Sequence, residues 1–199
     1  MEAAASRRSP RNQYVARVLR EAGIGTLLFD LLTADEESVD EATGELRFDI
    51  LFLAKRLADA TRWLAQRLDM AQMRLGYFGA STGAAAALVA AAQPGSNILA
   101  IVSRGGRPDL AGEVLPYVKA PTLLIVGEND EPVIGMNRDA LMKLGSDVKR
   151  IAIVPRATHL FEEPGALEEV ARLAADWFQI HLGSSTQTAN QKMSAHRAQ

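Results

Sequence analysis

The sequence predicts an α/β protein, a mostly parallel sheet of about five strands with helices on both faces. Three observations carry this. Short runs rich in Leu and β-branched residues recur at 24–30, 74–78, 98–103, 121–126 and 148–154. Between most of them lie longer stretches whose apolar residues repeat with helical period. Several of the runs are continuously apolar rather than alternating, as in strands covered on both faces. Strand–helix alternation of this kind builds βαβ units joined by crossover helices.

Residues 11–22 read as a first helix, with Tyr14, Val15, Val18 and Leu19 on one face and Gly23 as its stop. IGTLLFD (24–30) reads as a buried strand. An acidic stretch follows, carrying Asp35, Glu36, Glu37, Asp40, Glu41 and Glu45. Its spacing matches no calcium loop, so it reads as a solvated loop leading into a helix rather than a cation site. Asp49 can cap a long helix to about Leu68, with Ile50, Leu53, Ala54, Leu57, Thr61 and Leu64 in one stripe. Further helices fall at 83–93, 133–143 and 166–182, the last with Leu167, Val170, Leu173, Trp177 and Phe178 on one side. The tail 183–199 has almost no apolar content and reads as disordered. Residues 1–182 then form one domain.

Composition narrows the function. The 199 residues are 48% hydrophobic and 23% charged, enough for a core that buries roughly 70% of the unfolded surface without staples. Lys plus Arg number 22 against 24 Asp plus Glu, a net charge of −2, which argues against a nucleic-acid partner. No cysteine means no disulfide, no thiol nucleophile and no Cys-ligated metal. Neither a membrane-spanning run nor a secretory h-region is present, so the expectation is a cytoplasmic protein, monomeric or weakly self-associating.

The chemistry centres on Gly79-Ala80-Ser81-Thr82-Gly83, directly after a strand and directly before an Ala-rich helix. This is the G-x-S-x-G elbow in its strand–turn–helix context. Ser81 sits at the tip of a tight turn, and small residues two positions before and after avoid a clash. The following helix points its N-terminal amides at the site, with the Thr82 N–H as an oxyanion donor. A serine hydroxyl needs a base, and the base needs an orienting carboxylate. Both follow strand ends further along. His159 alone among the three histidines follows a strand; His181 lies near the end of the last helix and His196 in the tail. For the acid, Asp130 is preferred over Glu128, too close to its strand, and Glu131, next to Pro132 at a helix start. The triad Ser81, Asp130 and His159 should converge at the C-terminal sheet edge, with one imidazole nitrogen bonded to Ser81 and the other facing Asp130.

Together the elbow, the G-x-x-D-x-x-V segment (Gly127, Asp130, Val133), SRGGRPDLAG (103–112) and ATHLFEEPGALEEVARLAADWF (157–178) resemble the dienelactone-hydrolase-like branch of the α/β-hydrolase superfamily, over roughly residues 7–182. The resemblance matches Ser81 to the nucleophile, Asp130 to the acid and His159 to the base. Named members of that branch use cysteine; with none here, a serine esterase is the reading. Some relatives are joined to a phosphoribosyltransferase-like domain. Family members also carry earlier strands and an H-G-x-G loop that donates the second oxyanion N–H. Met1–Ala5 stand where that loop would be, so the resemblance implies an N-terminally truncated fold whose second donor lies near Ala3. It also implies a strand missing between 24–30 and 74–78; direct parallel pairing of those two runs is the preferred expectation, the alternative being a gap that leaves the protein marginally stable and prone to association.

Arg104 and Arg107 with Asp109 follow the strand 98–103 and point to the same sheet edge. They read equally as a clamp for an anionic substrate group or as an Arg–Asp pair stiffening a loop with Gly105 and Gly106. The function expected is hydrolysis of a small carboxylic ester through an acyl-enzyme, with no metal and no organic cofactor. The alternative is a hydrolase-fold binding or accessory domain with an incomplete oxyanion hole.

Overall fold

The computed structural model describes residues 6–67 and 73–183. In chain order the elements are α1 (Pro10–Glu21), α2 (Ala34–Thr43), α3 (Glu45–Phe48), α4 (Ile50–Ala65), β1 (Leu75–Ala80), α5 (Thr82–Ala91) and β2 (Ile98–Arg104). A 3-10 segment (Pro108–Tyr117), β3 (Thr122–Gly127), α6 (Glu131–Lys143), β4 (Lys149–Val154) and α7 (Ala166–Leu182) complete them. The four strands form one parallel sheet in the order β1-β2-β3-β4. Each crossover carries a helix or 3-10 segment, as parallel pairing requires.

Strand alternation sends side chains to two core layers. Ile101 and Leu124 pack with Leu53 of α4, the alanines of α5 and Leu115 of the 3-10 segment. Ala100, Val102, Leu123 and Ile125 pack with Val15 and Leu19 of α1 and Val170, Ala174 and Phe178 of α7. Alanine-rich α5 is buried from Gly83 to Ala90, because small side chains let its backbone lie close to the sheet. Among the described residues, no helix is long and apolar enough to cross a membrane.

Three expectations change. Residues 24–30 form no strand, and they do not pair with β1. An apolar run selects extended backbone, yet a strand exists only where a neighbour takes up its N–H and C=O groups. Here the run is partly exposed, with Leu27 54% accessible, and Arg7 holds its end by an ion pair to Asp30. The sheet therefore has four strands rather than about five. The acidic stretch is mostly helix, not loop. Thr33 accepts from the Glu36 N–H while Glu36 accepts from the Thr33 N–H, a capping box that starts α2 with three carboxylates in its first turn. The third change is the 3-10 segment Pro108–Tyr117, which breaks at Gly112 (φ +53°) and adds to the helices expected at 83–93, 133–143 and 166–182. Asp49 does cap α4, accepting from the Phe52 N–H, and α4 ends at Ala65. Leu68, Ala3 and the tail from 184 onward, with His196, lie outside the described residues.

Glu36 also joins α2 to α4. Both of its oxygens receive the Arg56 guanidinium, one at 2.6 Å. That pair, helped by the Thr33 N–H, lowers its carboxyl from the ordinary 4.5 to about 2. A carboxylate depressed on folding contributes stability above its unfolded value and loses it as the proton binds the folded form. Helix α2 is thus expected to loosen as pH falls from about 4.5 to about 2. Amide exchange of residues 34–43 across that range is the check: Glu36→Gln should exchange faster above about pH 4.5 and show a smaller transition, the remainder belonging to Asp40, whose carboxyl, despite its burial, Arg47 also holds below its ordinary range.

Candidate active site

β1 ends at Ala80, and the chain reverses through Ser81 (φ +51°, ψ −124°) into α5. Positive φ at a residue with a Cβ costs on the order of 1–3 kcal/mol and needs surrounding structure to hold it. Three backbone bonds supply that hold. The Ser81 N–H donates to the Arg104 carbonyl at 3.4 Å, and the Arg107 and Ala84 N–H groups donate to the Ser81 carbonyl, each at 3.1 Å. The crowding that demands glycine is one-sided. A Cβ at Gly79 would stand 2.6 Å from the Ala84 Cα and the Gly83 carbonyl, whereas one at Gly83 would meet open space. The Thr82 N–H belongs to the first turn of α5, where amides have no intrahelical acceptor.

The second and third groups sit at the ends of β3 and β4, whose last residues, Gly127 and Val154, lie side by side. A Cβ on Gly127 would press within 2.6 Å of the Thr158 carbonyl, so glycine lets the two loops close together. The Asn129 N–H donates to the Ala157 carbonyl at 2.9 Å, and the Asn129 side chain to the Arg156 carbonyl at 2.8 Å. Asp130 begins α6 without capping it through its side chain; its Oδ2 lies 2.7 Å from His159 Nδ1 instead. Glu128 accepts from the Arg156 N–H, and Glu131 is exposed on the first turn of α6. Neither touches the histidine through a hydrogen bond.

His159 lies on a loop with positive φ at Arg156 (+61°) and Phe161 (+56°). Glu163 fixes this loop by accepting from the Thr158 N–H at 3.1 Å and its hydroxyl at 2.6 Å, and these bonds pull the Glu163 carboxyl below its ordinary range. Sequence reasoning missed Glu163, since nothing marks a carboxylate that grips a loop rather than the imidazole. The ring itself stands against Gly105, where a Cβ would come within 3.5 Å of His159 Cε1. Gly105 follows Arg104, whose carbonyl holds the Ser81 N–H, so serine and histidine flank the end of β2. The structure brings His159 and Asp130 into contact, but the side-chain hydrogen bond expected between Ser81 and His159 is not formed among the described residues.

The two arginines part company. Arg107 forms a bidentate pair with Asp109, Nη2 to Oδ2 at 2.7 Å and Nε to Oδ1 at 2.9 Å. Arg104 takes no part in it. Its side chain is 6% exposed, Nη1 is buried without an acceptor, and burial with the nearby charge of Arg11 lowers it from 12.5 to about 10. His181 stacks at a tilt on Trp177, and burial lowers its pKa. No group of three or more His, Asp or Glu able to hold a metal ion occurs among the described residues.

A parallel sheet with helices on both faces, an elbow serine after β1 and a His–Asp pair beyond β4 and β3 define the α/β-hydrolase fold. A dienelactone hydrolase from Anabaena variabilis is 61% identical and superposes with a TM-score of 0.85, over 89% of this chain and 82% of that one. The chain belongs to the dienelactone hydrolase family. A Mycobacterium tuberculosis protein named "Putative phosphoribosyl transferase" is 58% identical over 177 residues, 89% of this chain but 39% of that protein, so the chain spans about two fifths of its length. The Butyrivibrio proteoclasticus protein Est1E shares the fold at 16% identity, with a TM-score of 0.69. No family model matches.

Proposed function

We propose that the chain is a serine hydrolase that cleaves a small carboxylic ester through an acyl-enzyme. The observation that supports this best is the strained Ser81 elbow at the same sheet edge as the His159–Asp130 pair at 2.7 Å. With Nδ1 donating to the Asp130 carboxylate, Nε2 carries a lone pair and serves as the base. Ser81 Oγ attacks the ester carbonyl as its proton passes to Nε2. The Thr82 N–H faces the developing oxyanion, and in the sequence reading the second donor comes from near Ala3. Collapse breaks the acyl–oxygen bond, and Nε2–H returns the proton to the leaving alcohol. Water, deprotonated by Nε2, then attacks the acyl group, and Ser81 leaves as the hydroxyl with the carboxylic acid as second product. Asp130 holds the tautomer and faces the imidazolium throughout. Neither metal nor organic cofactor enters these steps.

Turnover of acetyl, butyryl and octanoyl esters tests the reading and sets acyl length; Ser81→Ala should turn over none of them above background. Because the base acts in its neutral form, the rate should rise from acid toward neutrality and level off above it. A rate that falls between about pH 5 and 8 would remove His159 as base. The absent Ser81–His159 bond favours a second reading, a binding or accessory domain, and wild-type protein inert toward every ester would select it.

A further inference from the structure

A nucleophile at positive φ is only as well placed as the backbone that holds it. The Ser81 carbonyl accepts from the Arg107 N–H at 3.1 Å, and that N–H shares one planar peptide unit with the Gly106 carbonyl. The other end of the same unit is also taken. Asn137 Nδ2 donates to the Gly106 carbonyl at 3.0 Å and to the Val133 carbonyl, one turn back in α6, at 2.8 Å. Two carbonyl partners fix which end of the amide faces the loop, because a flipped Asn137 would set oxygen against oxygen. Asn137 is fully buried, and its Oδ1 has no hydrogen-bond partner among the described residues. Its donor end is therefore the end that the fold uses. The peptide unit cannot drift toward the elbow either. A Cβ on Gly106 would collide with Ser103 Oγ and stand 2.6 Å from Ala84 Cβ, in the first turn of α5.

We infer that Asn137 is a positioning residue for Ser81, clamping the Gly106–Arg107 peptide that holds the elbow carbonyl. The clamp joins all three members of the site. Helix α6 starts after Asp130, and Asn137 lies two turns along it. Gly105, in the clamped loop, stands against the His159 ring, and the Arg107 N–H reaches Ser81. A hydrogen bond at one end of a peptide unit polarises the bond at the other, so Asn137 strengthens the hold on the Ser81 carbonyl as well as aiming it. A displacement of about 1 Å at a reacting group costs on the order of 10²-fold in rate. The inference rests on the serine-hydrolase reading for its effect on rate, whereas the clamp itself is a matter of backbone geometry.

Asn137→Ser and Asn137→Ala test it. A serine hydroxyl can bond the Val133 carbonyl one turn back but is too short for Gly106, so it removes the loop bond alone. Alanine removes both bonds. Ala140→Gly, buried about one turn further along α6, weakens the helix and keeps the Asn137 amide, so it is the control for stability. Labelling of Ser81 by a fluorophosphonate should slow by about 10- to 100-fold in both Asn137 variants. Labelling should still go to completion, and its pH midpoint should stay where His159 sets it. By NMR, exchange of the Arg107 amide should quicken about tenfold or more in both, well beyond any change at Leu141 in α6. Ala140→Gly should do the reverse, quickening Leu141 and labelling within about twofold of wild type. Labelling by Asn137→Ser within about twofold of wild type, or slowing as large in Ala140→Gly, overturns the inference. So does an unchanged Arg107 exchange rate, or a displaced pH midpoint, which would place the effect on the histidine. Wild type that never labels, with Arg107 exchange still quickened in Asn137→Ser, would remove the hydrolase reading and leave the clamp standing.

Discussion

Asp130→Asn is expected to lower kcat for ester hydrolysis by about 10⁴-fold while leaving KM and fold nearly unchanged. The carboxylate accepts from His159 Nδ1 at 2.7 Å, which leaves Nε2 bare to take the serine proton. An asparagine can present its amide N–H₂ to Nδ1 and so favour the tautomer protonated on Nε2, which cannot act as base. Stability should survive, because the Asp130 side chain makes no cap bond to α6. Steady-state kinetics beside a melting curve separates the effects. A loss of less than about tenfold would mean that the histidine is oriented by something other than this contact.

Gly79→Ala is expected to be the most damaging single methyl in the site. Its Cβ would meet backbone, the Ala84 Cα and the Gly83 carbonyl at 2.6 Å, so neither neighbour can swing aside as a flexible side chain would. Overpacking of this kind costs about 1–3 kcal/mol or more. At this chain length that is a fall in melting temperature of roughly 2–12 °C. The elbow would open with it, and ester turnover should collapse together with stability. Gly83→Ala is the internal control. Its Cβ enters open space inside α5, where alanine is favoured over glycine by about 1 kcal/mol, so stability should hold or rise. Equal damage from both would show that the crowding at the elbow is not what the glycine relieves.

These contrasts show where the sequence could be read and where it could not. The elbow was legible because its residue types and its strand–helix flanks both depend on neighbours in the chain. Asp130 and His159 were legible because each closes a run that becomes a strand, β3 and β4. Residues 24–30 were misread for a definite reason: apolar content reports extended backbone, whereas pairing depends on what lies alongside. Conversely, the Thr33-x-x-Glu36 capping box is written in the sequence, and it outweighs the charge density that suggested a loop. Arg104 and Arg107 could not be told apart before the fold was known. They are three residues apart with similar neighbours, but strand alternation buries one and the Asp109 carboxylate occupies the other. Glu163 and Gly127 act on the His159 loop through contacts that only the folded chain creates.

The central claim is that Ser81 is an activated nucleophile, and a fluorophosphonate probe addresses it without knowledge of the substrate. The Ser81 oxygen attacks phosphorus, fluoride leaves, and a stable phosphonyl ester remains on the side chain. Mass spectrometry of the digested protein should place one adduct on the peptide containing Ser81. Labelling should be abolished by Ser81→Ala and slowed by about 10³-fold or more in His159→Ala. An unlabelled wild-type protein, or an adduct on any other residue, would contradict the account.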